Sequence, residues 1–263
     1  MNLNFLTYKD WRNKVVLVTG ASSGIGRGLA TELARRGAAV GLLARRADAL
    51  QEVVAEIVTA GGHAIPLPAD VTDEQAVRRA VNELKTKSGP IDVLFANAGV
   101  GITAHATNLN AEAVAKLFDV NVIGVVNSVA AVIGDMIQRG QGQLVAISSL
   151  AAYRGLPKSA AYCSSKAAVS AFFESLRLDL HGSGVEVTII HPGFIKTPLT
   201  AGRQAQLPWL MEVSEAVNKI LKATEARKKS YAFPWQLATI VRAGMFMPNF
   251  MYDWISRRNS FRE

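Results

Sequence analysis

Tyr162 and Lys166 stand four residues apart in Tyr162-Cys163-Ser164-Ser165-Lys166, so on a helix they share one face, a single turn apart. An isolated phenol keeps its proton up to a pKa of ~10, too high for easy exchange in both directions near neutrality. An ammonium one turn away favours the phenolate and lowers that value. The pair is suited to giving a proton to, or taking one from, an oxygen whose charge changes during reaction. A second chemistry lies near the N-terminus, in Thr19-Gly20-Ala21-Ser22-Ser23-Gly24-Ile25-Gly26. Its glycines allow a tight turn and close backbone approach, and a helix opening directly after them offers unpaired N–H groups to a pyrophosphate.

These groups need a frame, and the chain supplies it by alternation. Short β-branched or apolar runs at 15–19, 38–44, 64–69, 92–97, 144–149 and 185–190, with a last one at 230–234, read as strands. Helix-period segments lie between them, at 24–36, 47–60, 73–87, 110–139, 158–182 and 214–226. Strands apolar on both faces require helices on both sides of a parallel sheet. Sustained over this length, the pattern predicts a doubly wound α/β sheet of about seven strands with right-handed crossovers. No linker rich in Pro, Gly or Ser divides it and no repeat is found, so residues 1–263 read as one domain. On that reading Ser149 closes the fifth strand.

At 263 residues, 49% hydrophobic and 19% charged, the chain has enough apolar surface for a sizeable core, which excludes a disordered class. A single cysteine, Cys163, excludes an intrachain disulfide and points to a reducing compartment. Residues 1–14 lack the pattern of a secretory signal, and no run offers the ~20 uninterrupted apolar residues of a spanning helix. Cytoplasmic location is the expectation. The net charge of +8 is uneven: residues 222–263 hold eight basic groups against three acidic ones. No basic stripe with interleaved aromatics marks a nucleic-acid partner. The four histidines are too scattered in sequence for a metal site.

The spacing Gly20-x3-Gly24-x-Gly26 resembles that of the short-chain dehydrogenase/reductase (SDR) family, and further motifs follow in its order. Asn97-Ala98-Gly99 matches its strand-end motif, Asn121-Val122-Ile123-Gly124 its NVxG-like segment, and Ser149, Tyr162 and Lys166 its serine and YxxxK; Pro192-Gly193 follows the sixth strand. The resemblance covers about residues 13–235 and implies a Rossmann-type fold that transfers hydride between a nicotinamide dinucleotide and a carbonyl or alcohol. It implies a catalytic set of Asn121, Ser149, Tyr162 and Lys166, with Asn121 anchoring a water that links Lys166 to solvent. It also implies cofactor contacts at Gly20, Ser22, Ser23, Gly24, Ile25, Gly26, Asp70, Val71, Asn97, Ala98, Gly99, Tyr162, Lys166, Pro192, Gly193, Ile195 and Thr197.

Where NAD-dependent members of that family carry Asp after the second strand, this chain has Ala44, followed by Arg45 and Arg46. A guanidinium there accommodates a 2′-phosphate, so NADP(H) is the expected cofactor. Asp70 has two readings, an adenine contact or an N-cap with Glu74 nearby. The expected substrate contacts are Ser149, Tyr162, Leu156 and Phe194, in an apolar pocket that Leu150, Trp209 and Met211 can extend. Lys196 and Arg203 leave open a carboxylate or phosphopantetheine substrate. His105 is a further candidate to face the substrate, and Cys163 reads as packing. The long helix around Tyr162 carries apolar residues on more than one face, and the resemblance implies pairing through it, as a homodimer or homotetramer. The extension 236–263 is apolar and basic, and Pro248 breaks any helix in it. It either folds over the substrate entrance or a partner subunit, or lies against a membrane as a peripheral contact. Two readings without turnover stand beside the enzyme: a dinucleotide sensor and a membrane-associated scaffold.

Overall fold

Every position of β1 (Val15–Thr19) is buried, as a strand covered on both faces requires. In the computed structural model, which describes residues 10–201 and 207–258, β1 belongs to a seven-stranded sheet. Its other strands are β2 (Ala39–Ala44), β3 (His63–Pro68), β4 (Val93–Ala96), β5 (Gly142–Ile147), β6 (Val185–Pro192) and β7 (Ser230–Phe233). They lie in the order 3-2-1-4-5-6-7, and every pair is parallel. The order reverses between β1 and β4, and a doubly wound sheet binds its ligand in the crevice beyond the strand ends at such a point.

The helices are α1 (Gly24–Arg35), α2 (Ala47–Thr59), α3 (Glu74–Ser88), α4 (Ala111–Phe118), α5 (Gly124–Arg139), α6 (Ala160–Asp179) and α7 (Val213–Glu225). The period-2 alternation of each strand sorts the core into two layers. Val16 and Val18 pack with Leu29 of α1, Leu50 of α2 and Ile220 of α7. Val15 and Leu17 pack on the other side with Leu84 of α3, Val129 of α5 and Phe173 of α6.

Three features differ from the sequence reading. First, the expected helix 110–139 contains a π-helical turn, Asp119–Ile123, between α4 and α5, and this turn buries Asn121 completely. Second, Ala111–Arg139 is long and apolar enough to cross a bilayer by length and composition, its polar interruptions notwithstanding. Here Val125, Val129, Val132 and Met136 bury its apolar side in the core. Third, β5 ends at Ile147, so Ser149 lies beyond the strand, where its side chain accepts a bond from the Ala151 amide and opens a short 3-10 turn, Leu150–Ala152. Beyond β7 come α8 (Trp235–Phe246) and α9 (Asn249–Arg258), with Met247 and Pro248 between them.

Candidate active site

The glycine loop leaves β1 through Gly20 (φ +66°) and reaches Gly24 (φ +53°), both in the left-handed region that favours glycine. A Cβ at Gly26 would lie 2.2 Å from the Gly20 carbonyl oxygen, so only hydrogen fits where α1 crosses the loop. The neighbouring strand end is fastened to the same turn. Asn97 Nδ2 donates to the Thr19 carbonyl at 2.9 Å, and Thr19 Oγ1 accepts from the amides of Asn97 and Ala98, each at 3.0 Å. Asn97 and Ala98 therefore hold the loop shut from behind while lining the cleft with Gly99. Ser23 precedes α1 without capping it through its side chain, which leaves the helix N-terminus to an anion.

At the end of β2, Ala44 is buried and offers no carboxylate. Arg46 Nη2 donates to Ser22 Oγ at 3.4 Å, and Arg45 Nη1 lies 3.8 Å from Asp70 Oδ2. Asp70 does not cap α3; that place is taken by Asp73, whose carboxylate accepts from the Ala76 amide at 3.0 Å. Asp70 instead accepts from the amide and hydroxyl of Thr72.

The reactive end is set by α6. Lys166 is buried, its Nζ donates to the Ile147 carbonyl at 2.8 Å, and it lies 5.9 Å from the centre of the Tyr162 ring. Burial pulls its ammonium down from 10.5 to about 8, so it remains cationic near neutrality. Asn121 Oδ1 accepts from the Val100 amide at 2.8 Å, and its Nδ2 donates to the Val100 carbonyl and to Ser165 Oγ, each at 3.0 Å. A Cβ at Gly99 would meet Asn121 Oδ1 at 3.3 Å and Lys166 Nζ at 3.4 Å, so the glycine keeps a small polar space between these groups.

One cleft of about 960 Å³ joins the two ends. Of the residues assigned from sequence to cofactor or substrate, all line it except Gly26, which lies behind the loop. Asn121 likewise stands behind the wall rather than in it. Pro192, Gly193, Ile195 and Thr197 edge the cleft after β6, and Leu156 and Phe194 line its apolar part.

Its roof comes from α8 and α9, through Leu237, Val241, Gly244, Tyr252 and Ile255, and from Met247 between them. Arg154 fastens that roof. Its guanidinium donates to the carbonyl oxygens of Gly244 and Met247 and to Asn249 Oδ1, and it stacks 3.8 Å from the centre of the Tyr252 ring. Tyr252 returns a bond from its hydroxyl to the Gly155 carbonyl at 2.6 Å. Nearby, Arg242 donates to the Tyr153 hydroxyl at 3.2 Å, and the Tyr153 ring lies 4.8 Å from that of His191. Burial, and then the charge of Arg242, hold the His191 imidazole down at about 4, so it is neutral. Sequence reasoning missed Arg154, Tyr153 and Arg242, because no local spacing distinguishes them from surface residues.

Other candidates fall away. Lys196 pairs with Glu212 at 3.1 Å on the exposed surface and does not reach the cleft. Arg203 lies outside the described residues. His105 accepts from the Thr107 amide and turns no side chain into the cleft. Met211 is buried beside Ile195 in the core, whereas Trp209 does line the cleft. Cys163 is buried, and burial raises its thiol pKa, as packing requires. Among the described residues no group of side chains could hold a metal ion.

Residues 14–208 match the family model for short chain dehydrogenase. The chain is 44% identical over 245 residues to an uncharacterized oxidoreductase of Myxococcus xanthus, a match spanning 93% of this chain and 97% of that one. It superposes on a short chain dehydrogenase/reductase of Burkholderia phymatum in complex with NAD, with TM-score 0.83 and 24% identity over 89% of this chain and 93% of that one. A gluconate 5-dehydrogenase of Burkholderia cenocepacia, in complex with NADP and tartrate, gives TM-score 0.80 and 25% identity over 87% and 97%.

Proposed function

The chain belongs to the short chain dehydrogenase family, and on that premise we propose that it is an NADP(H)-preferring oxidoreductase acting on an apolar carbonyl or alcohol. One observation carries the proposal: a buried Lys166 ammonium beside the Tyr162 ring, in the same cleft as a glycine loop flanked by Arg45 and Arg46.

These residues fit a nicotinamide dinucleotide. The uncapped start of α1 and the bare turn at Gly20 and Gly24 would hold the pyrophosphate, and Asp70 and Val71 the adenine. Arg45, Arg46 and Ser22 would hold a 2′-phosphate, for which a planar fork is well suited. Ile195 and Thr197 would meet the carboxamide. When bound, the nicotinamide supplies or accepts the hydride.

The chain's own groups do the rest. Ser149 Oγ already accepts from the Ala151 amide at 3.1 Å, which leaves its hydroxyl proton to hold the substrate oxygen. Tyr162 gives its proton to that oxygen in reduction and takes it back in oxidation. Lys166, with one N–H fixed on Ile147, stabilises the phenolate and keeps donors for ribose hydroxyls. Asn121 and the polar space beside Gly99 would seat the water that returns the proton. Leu150, Leu156, Phe194, Leu237 and Val241 give the substrate end its apolar walls. We further read α6 as the pairing helix of a homodimer or homotetramer, since Leu178 stands exposed on it.

NADPH oxidation with a panel of aldehydes and ketones tests this reading. Tyr162→Phe is expected to lower turnover by about 10²–10⁴-fold with NADPH binding intact. Substantial residual turnover in that variant rejects the mechanism. Arg45→Ala is expected to reduce the preference for NADPH over NADH by about tenfold, roughly 1.4 kcal/mol. Equal efficiency of the wild type with both cofactors rejects the assignment of Arg45.

A further inference from the structure

Lys166 is gripped at both ends by consecutive residues of one segment. The carbonyl of Ile147, the last residue of β5, accepts from its Nζ at 2.8 Å, and the hydroxyl of Ser148 donates to its main-chain carbonyl at 3.0 Å. Ser149, whose hydroxyl faces the substrate oxygen in the reaction proposed above, comes next. Residues 147–149 thus set lysine and serine relative to one another. Behind this grip runs a row of polar groups that the mechanism does not use. Ser170, one turn beyond Lys166 on α6, places its Oγ 2.8 Å from Ser148 Oγ and 3.0 Å from the Lys166 carbonyl oxygen. The same Oγ lies 3.2 Å from His191 Nε2, and Nδ1 of that ring lies 3.4 Å from Ser230 Oγ. Ser148 and His191 are buried, and the Tyr153 ring covers the imidazole at 4.8 Å.

Each hydroxyl has one proton to give, so the donations in this row can be counted. With the ring proton on Nε2, the imidazole donates to Ser170, and the Ser230 hydroxyl donates to Nδ1. Ser170 and Ser148 then hold two protons for two links, the one between them and one to the Lys166 carbonyl. With the ring proton on Nδ1, Ser170 must give its proton to the ring. Ser148 alone then serves only one of those two links. We propose that His191 is a positioning residue for Lys166: its Nε2–H orients the hydroxyls of Ser170 and Ser148, which hold the main chain of the lysine against residues 147–149. The inference rests on the proton-transfer roles given to Tyr162 and Lys166 above. A loosened turn displaces the ammonium from the phenol and leaves most of the cleft that binds dinucleotide and substrate as it was, so the cost falls on turnover.

His191→Leu is expected to lower kcat by at least about tenfold, with substrate KM and NADPH Kd within about threefold of the wild type. His191→Gln, whose amide N–H can stand where Nε2–H stood, is expected to recover most of that loss. Ser170→Ala breaks the row from its other side and decides the matter where His191→Leu does not fold. The double variant of Ser170→Ala and His191→Leu is expected to lose little more than either single one, as residues acting in series do. In the unaltered protein, ¹⁵N spectra of the histidine-labelled chain should show His191 as the neutral tautomer protonated on Nε2, its signals assigned by their loss in His191→Gln. The spectrum needs no substrate, so this proposal and the proposed reaction can fail separately. Four results overturn it: a ring proton on Nδ1, kcat within about twofold of the wild type in both His191→Leu and Ser170→Ala, no recovery in His191→Gln, or losses that multiply in the double variant.

Discussion

At the dinucleotide end of the cleft, the parts that meet lie on adjacent strands or within one turn of chain, and close backbone approach, with the short side chains of Thr19 and Asn97, fixes them. Gly20 and Gly26 touch across six residues, and Thr19 is bound to the first residues after β4. At the substrate end, the roof and its polar anchor lie 90 or more residues apart in sequence; beside the apolar packing of Leu237 and Ala238 on Leu150, one side chain, Arg154, donates to three groups of the roof segment. A site fixed by backbone tolerates little change and is written in local spacing. One fixed by a long side chain can be released without disturbing the chemistry beside it.

The difference can be broken most severely at Gly26. Gly26→Ala places a methyl group 2.2 Å from the Gly20 carbonyl oxygen, so the loop must shift. NADPH affinity is expected to fall by more than about a hundredfold, with ~1–3 kcal/mol lost from stability, measured by fluorescence titration and denaturant unfolding. Normal affinity and stability would show that the loop is not rigidly seated. A smaller effect, confined to the other end, is expected from Arg154→Ala. Losing the guanidinium that holds Gly244, Met247 and Asn249 should raise the substrate KM by about tenfold, roughly 1.4 kcal/mol, and leave the NADPH Kd within about twofold. Arg154→Lys should recover little, since a point charge neither forks nor stacks on Tyr252. Equal changes in both constants would show that the two ends move together.

The smallest effect at neutral pH concerns His191, which supports Tyr153 beneath the roof. Its folded-state pKa is lowered from 6.5 to about 4, so below 6.5 the unfolded chain takes up the proton first. Its contribution to stability is therefore complete above pH 6.5 and is lost as pH falls toward 4. Denaturant titrations across that window should show an acid-sensitive limb that His191→Gln flattens. An unchanged limb in the variant would place the sensitivity elsewhere.

The same contrast explains what could be read from sequence. The strands were legible because burial on both faces leaves uninterrupted apolar runs, and the loop because its glycines lie close together. The pairing of Tyr162 with Lys166 followed from helical spacing. The π-helical turn at Asp119–Ile123 was not legible, because one wider turn leaves the surrounding apolar pattern almost unaltered; it nevertheless buries Asn121. Ser148 and Ser149 continue the run and so read as a strand end, but the side chain of Ser148 turns to the Lys166 carbonyl and Ser170 as β5 ends. Lys196 offered a plausible anion grip until Glu212, sixteen residues on, neutralised it at the surface. Arg154 had no local signal, because its partners are carbonyl groups far along the chain.

Those partners have a consequence for how the protein can change over generations. Two of the bonds from Arg154 end on the carbonyl oxygens of Gly244 and Met247, groups that every amino acid presents. Only Asn249 and Tyr252 engage it through side chains. Positions such as Leu237, Val241 and Ile255 can thus be rewritten one at a time, reshaping the chamber above Ser149 and Tyr162, while the anchorage stays the same. Selection can explore new substrates at the roof without first reinventing how the roof is held.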